Sequence, residues 1–81
     1  METRIAILGI IIENVDAVSK VNELLHEYRE YIIGRMGMPY KEKNVSVISI
    51  VLDAPNDSIS ALSGKLGMLE GVSAKAVYSK K

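Results

Sequence analysis

Two apolar runs limit what this sequence can fold into. Ile5 to Ile12, interrupted only by Gly9, and Val45 to Leu52 carry branched aliphatic side chains at both odd and even positions. A strand covered on both faces has this pattern, so both runs read as central strands of a sheet. In the second run Val45, Val47 and Val51 fall on one side and Ile48, Ile50 and Leu52 on the other. The first run is far too short to cross a bilayer as a helix. It also follows an acidic residue, Glu2, and leads to no small-residue cleavage site, so it is not read as a signal peptide.

Between and after these runs the periodicity changes. Val15, Val18, Val21, Leu25 and Tyr28 recur at three- and four-residue steps, widened by Leu24, and predict an amphipathic helix with Asn14 or Asp16 accepting from its first turn. Tyr31 to Met38 returns to an extended pattern, in which Gly34, Gly37 and Pro39 suit a sheet edge or bulge. Pro39 to Asn44 reads as a charged turn. Pro55-Asn56-Asp57 predicts a turn and a side-chain cap, and Ile59, Leu62, Leu66 and Leu69 mark a second helix that ends by Gly71. Gly64 and Gly67 each cost that helix about 1 kcal/mol relative to alanine, so a close approach to the sheet or to another subunit is expected there. Val72 to Tyr78 places Val72, Ala74, Ala76 and Tyr78 inward and Ser73, Lys75 and Ser79 outward, as an edge strand does. Lys80 and Lys81 read as a short solvated tail.

The order strand, helix, strand, strand, helix, strand is that of the split βαβ arrangement. Right-handed crossovers put both helices on one sheet face and make the first and third strands central. The two double-sided runs fall on those two positions. The expected fold is therefore α+β: a ferredoxin-like βαββαβ domain spanning residues 1–81, with a four-stranded antiparallel sheet and two helices on one face.

Two helices leave the other sheet face bare, yet strands one and three are apolar on both sides. Four strands about 4.8 Å apart, with about 6 residues at roughly 3.3 Å each, give a face of about 380 Å². At about 25 cal/mol per Å², leaving it wet forgoes up to about 9 kcal/mol. A homo-oligomer formed through sheet faces or edges is expected.

Composition removes whole classes of chemistry. The chain has no cysteine, so disulfides, thiolate metal sites and thiol nucleophiles are excluded together. Ten basic and ten acidic residues give a net charge of zero, which disfavours a nucleic-acid backbone or an anionic membrane as partner. RNA-binding sheets of this topology present aromatic residues on their central strands, but the aromatics here are Tyr28, Tyr31, Tyr40 and Tyr78. The triplets Asn44-Val45-Ser46 and Asn56-Asp57-Ser58 would matter only in a secreted chain, and a cytoplasmic location is expected. Gly34-Arg35-Met36-Gly37 and Gly64-Lys65-Leu66-Gly67 lack the remaining positions of a phosphate-binding loop. The one histidine, His26, has Glu23 three residues before it and Glu30 four after, so all three can share a helical side. Glu23-Leu24-Leu25-His26 matches the Glu-x-x-His step of di-iron bundles, but only paired subunits would supply a second step. A histidine bonded to a neighbouring glutamate on a helix surface is the plainer reading. No serine sits in a nucleophile elbow.

Three segments carry a family resemblance: Val21-Asn22-Glu23-Leu24-Leu25-His26, Ile33-Gly34-Arg35-Met36-Gly37-Met38-Pro39-Tyr40, and Ile59 to Gly67 followed by Gly71-Val72. Together they resemble the iron-only hydrogenase system regulators, small ACT-like proteins similar to the sensing domain of the nickel-responsive regulator. The resemblance implies a regulatory role, an ACT-like fold and a link to hydrogenase maturation. By the same comparison His26 matches the helix histidine that completes a square-planar nickel site across a subunit interface. The other three ligand positions fall at Gly37, Pro39 and Val45, none of which donates nitrogen or thiolate. No metal and no cofactor is therefore expected. The loop Glu13-Asn14-Val15-Asp16 lacks the glycine common where ACT domains bind amino acids.

These readings converge on a non-enzymatic, oligomeric regulatory or ligand-sensing domain that acts through a small ligand at a subunit interface or through a hydrogenase-maturation or regulatory protein. His26, Arg35 and Tyr40 are the candidate ligand-binding residues. The alternatives are a metal-dependent or small-molecule enzyme using His26 with Glu23 and Glu30, and an assembly scaffold.

Overall fold

The structure, a computed structural model, describes residues 2–80, so Lys81 of the expected tail lies outside the described residues. Six main elements follow in the expected order: β1 (Arg4–Ile12), α1 (Val18–Glu27), β2 (Ile32–Tyr40), β3 (Val45–Ala54), α2 (Asn56–Gly67) and β4 (Val72–Tyr78). The strands form one sheet in the order β2-β3-β1-β4, and every neighbouring pair is antiparallel. The two double-sided runs are thus the two central strands, and the fold is the ferredoxin-like α+β arrangement.

Alternation decides which side each residue takes. Ala6, Leu8, Ile10 and Ile12 of β1 are buried, as are Ile48, Ile50, Leu52 and Ala54 of β3. They form one core with Val21 and Leu25 of α1 and Ile59, Leu62 and Leu66 of α2, so both helices cover the same sheet face. Edge strand β4 contributes Val72 to this core, with Ala74, Ala76 and Tyr78 packed against it. At the far end of β4, the Arg4 guanidinium sits 4.6 Å from the Tyr78 ring centroid and donates to the Ser79 carbonyl at 2.8 Å. The ends of β1 and β4 are fastened together by these contacts.

Several local expectations are corrected. Val15 is not on the helix stripe: it lies in a 3-10 turn, Val15–Ala17, and is 79% exposed. Asn14 caps that turn, its Oδ1 accepting from the Asp16 amide at 3.0 Å. At α2 the N-cap position is Pro55, with no side-chain cap bond, because proline's fixed φ already sets the turn and Asn56 is inside the helix. Strand β2 runs on to Tyr40, and the charged turn shrinks to Lys41–Lys43 with Asn44 left-handed at φ 54°. A register shift between Ile32 and Gly34 supplies the expected edge bulge. Gly64 and Gly67 do not serve close packing within the chain, since a Cβ at either would meet nothing within 4 Å.

The glycine that matters sterically is Gly71. Its φ is +76°, and a Cβ there would come within 2.5 Å of the Asn14 Cβ. The Gly71 carbonyl accepts from the Glu13 amide at 2.7 Å, so the loop before β4 clasps the loop after β1. A second clasp joins the helices: the Lys65 ammonium lies 5.3 Å from the Tyr28 ring centroid, and its hydrogen bond and attraction to Tyr28 raise its pKa above the usual 10.5. Among the described residues, no helix is long and apolar enough to cross a membrane.

Candidate functional site

Strand β2 overhangs the helical layer. Arg35, Gly37 and Pro39 pair with Ile50, Ile48 and Ser46 of β3 and therefore face the helix side, but the helices do not cover them. A groove runs there between the turn leading into α1 and the end of β2. Its outer part, about 190 Å³, is bordered by Val15, Val18, Pro39, Tyr40, Lys41 and Asn44. Its inner part, about 160 Å³, is bordered by Val18, Asn22, Arg35 and Pro39. The two parts share Ile12, Val18, Pro39 and Ser46 and so adjoin along the groove. Each part alone is smaller than the about 300–1,000 Å³ of sites that enclose a small molecule, and the two together reach only the bottom of that range.

The Arg35 guanidinium is fixed in this groove by donating to Asn22 Oδ1 at 2.7 Å. Arg35 keeps its remaining donors for a planar acceptor such as a carboxylate. Tyr40 and Lys41 stand at the outer end, with Ser46 on the floor. The floor and walls are otherwise apolar, from Ile12, Val15, Val18 and Pro39.

His26 lies elsewhere. It sits on the exposed side of α1 in a separate shallow depression with Ser19, Asn22, Glu23 and Glu27. Asn22 borders both places and is one helical turn from His26, so it links the Arg35 groove to the histidine. Asn22 is the residue that sequence reasoning passed over. Its four-residue step to His26 was the available signal.

The shared helical side proposed for Glu23, His26 and Glu30 is corrected. Helix α1 ends at Glu27, and Glu30 belongs to the 3-10 turn Arg29–Tyr31. The backbone leaves the helical path at Tyr28, with φ -103° and ψ 15°, and the Arg29 guanidinium donates to the His26 carbonyl at 2.9 Å. Among the described residues of one chain, no three histidine, aspartate or glutamate side chains stand close enough to hold a metal.

The opposite sheet face carries the other candidate surface. Ile5, Ile7 and Ile11 of β1 are 43–48% exposed, and Val47, Val77, Met36, Met38 and Tyr40 are between 41% and 68% exposed. Register places all eight on the face away from the helices. Asp53 and Lys75 are its charged residues on the paired positions.

Comparison with known proteins bears out the fold. No curated protein matches the sequence. Uncharacterized protein TM1266 from Thermotoga maritima is 46% identical, superposes with a TM-score of 0.93, and the match covers 98% of this chain and 100% of that one. The C-terminal domain of the MgtC protein from Mycobacterium tuberculosis has a TM-score of 0.70 at 13% identity, covering 96% of this chain and 89% of that one. A formyltetrahydrofolate deformylase from Pseudomonas putida KT2440 has a TM-score of 0.69 at 14% identity, covering 95% of this chain but 29% of that one. These two share the fold alone. The family profile described as "TM1266-like: Iron-only hydrogenase system regulator, putative" matches residues 4–76, and the chain belongs to that TM1266-like family.

Proposed function

We propose that this chain is a non-enzymatic, homo-oligomeric regulatory domain of an iron-only hydrogenase system, working in the cytoplasm. It reads a small molecule in the groove at Arg35 and Tyr40, which Asn22 connects to the separate depression of His26, or it reads a protein partner. The observation that carries this reading is the bare sheet face: eight large apolar side chains stand exposed on one side of a four-stranded sheet. A contiguous apolar surface of several hundred Å² marks an interaction site in a soluble protein. The groove supports the sensing part. It is largely apolar, it holds a guanidinium fixed by Asn22, and it is open to a molecule from outside.

Sedimentation velocity at micromolar concentration tests the assembly, and a monomer there refutes it. Thermal-shift measurements with amino acids, nucleotides and divalent metals test the sensing. Stabilisation lost in Arg35→Ala is the expected result, while no stabilisation by any of them counts against a small-molecule role and leaves the protein partner to be sought by co-purification from the native host. The metal-enzyme alternative needs His26 and Glu23 from paired subunits. A metal-free preparation by elemental analysis removes it.

A further inference from the structure

Gly9 occupies the middle of a central strand, where a glycine weakens a sheet and calls for a reason. Neither reason internal to the chain applies. Its backbone is not left-handed, since Gly71 is the glycine with positive φ among the described residues. It is not crowded either, because a Cβ at Gly9 would meet only the Lys75 carbonyl, at an ordinary 3.9 Å. What remains is an approach from outside the chain, on the bare face.

The neighbours of Gly9 make this concrete. Gly9 pairs with Ser49 on one side and Lys75 on the other, while the rows above and below hold Ile7 with Val51 and Val77, and Ile11 with Val47 and Ser73. A shallow depression of about 390 Å³ opens on the bare face beside Gly9, bordered also by Ile11, Val47, Ser73 and Lys75. Met36 belongs to the same row, through its pairing with Ser49, and is 68% exposed at the β2 edge. The face thus carries a hole near one side and a long, unbranched knob at the other.

On the oligomeric reading given above, we infer that the bare face packs on the same face of a second copy, with Met36 of each copy entering the Gly9 depression of the other. A two-fold axis along the strands lays β2 of one copy over β4 of its neighbour and β1 over β3, because the sheet order is β2-β3-β1-β4. Rows then meet equal rows, and Met36 comes down beside Lys75 and Gly9 of the facing copy. Packed sheets cross within about 30° of alignment, which keeps this register near the axis. Methionine adapts to such a hole. Lys75, on edge strand β4, lays its stem over the apolar surface and turns its ammonium outward. Taking about 80 Å² for each of the eight half-exposed side chains, each copy buries roughly 650 Å², and the pair clears the about 1,000 Å² that a specific interface needs. A second copy is the fitting occupant because knob and hole lie on one self-complementary surface.

The test is sedimentation equilibrium of the full chain, wild type beside Gly9→Val, with circular dichroism to verify folding. Valine suits a strand and meets no atom of its own chain, so the monomer keeps its fold and melts at the same temperature or higher. It puts a branched side chain into the floor of the depression where Met36 would enter, and the dissociation constant is expected to rise about 10- to 100-fold. Gly9→Ala should give a smaller rise. Met36→Lys, which changes an exposed edge residue and cannot unfold the core, should dissociate the assembly as well, and it decides the matter if Gly9→Val fails to fold. An assembly that survives both Gly9→Val and Met36→Lys overturns this inference while leaving the oligomeric reading intact, since the contact would then be elsewhere. A monomeric wild type overturns both.

Discussion

Replacing Gly71 with alanine should be the most damaging single-methyl change in the molecule. Alanine at φ +76° adopts a left-handed conformation at a cost of about 1–2 kcal/mol. Its Cβ would also stand 2.5 Å from the Asn14 Cβ and 3.0 Å from the Asn14 amide nitrogen. Relieving that overlap costs about 1–3 kcal/mol, as overpacking does elsewhere. The only easy movement is to part the two loops, and this stretches the 2.7 Å bond from the Glu13 amide to the Gly71 carbonyl. Against these terms, alanine's stiffer unfolded chain returns about 0.4–1 kcal/mol. The net loss is about 3 kcal/mol, out of roughly 4–12 kcal/mol for a domain of 81 residues. Urea unfolding followed by circular dichroism, at one fixed protein concentration, should show that loss, and the melting temperature should fall by about 15–20 °C. A loss below about 0.5 kcal/mol would refute the reasoning.

Other changes are expected to behave as follows. Gly64→Ala should stabilise the chain by about 0.5–1 kcal/mol, because it lies inside α2 with open space around it, and denaturation that shows a loss would mean the site is packed after all. Leu62→Ala, at a fully buried position facing the sheet, should lose about 2–5 kcal/mol in the same assay, the spread reflecting how far the core can close. Asn44→Val should cost about 1–2 kcal/mol, since Asn44 is left-handed at φ 54° and a β-branched residue resists that conformation, whereas Asn44→Gly should be tolerated. Lys65 has a folded pKa raised above 10.5 by Tyr28, so its stabilising contact is fully present below that pH and is lost as pH rises through the raised value. Titration of the lysine side chains by NMR should show one ammonium deprotonating late, and Tyr28→Leu should lower its pKa toward the common value.

The central strands were legible in the sequence because their demand for cover is local and unambiguous. Ile5 to Ile12 and Val45 to Leu52 have no polar face, and the sheet order puts them side by side in the middle. Less legible were the turns. Val15 fits the helical period but lies in a 3-10 turn, because the clasp between Asn14 and Gly71 fixes the chain's direction before the helix starts. That clasp joins residues 57 positions apart, and no window of sequence contains both. Glu30 fails for a related reason: a helical wheel assumes a helix that continues, and α1 stops at Glu27.

The site was legible by residue type more than by arrangement. Arg35 read as a polar feature on a weak strand and Tyr40 as part of the charged turn after it, and in the observed strand alternation sends Arg35 to the helix side and Tyr40 to the other. They nevertheless border one groove, because β2 is an edge strand whose end turns into Lys41–Lys43 and brings Tyr40 round to its mouth. The pairing of Arg35 with Asn22 depends on how far α1 sits from β2, and this follows from packing Val21 and Leu25 onto β1 and β3. Sequence periodicity gives the face of a helix, not its lateral position over a sheet. Gly9 shows the reverse case. A glycine in a strand suggests close approach from sequence, but only the structure shows that the Cβ position of Gly9 is uncrowded by its own chain and lies on the bare face, which is the ground for the packing inferred there.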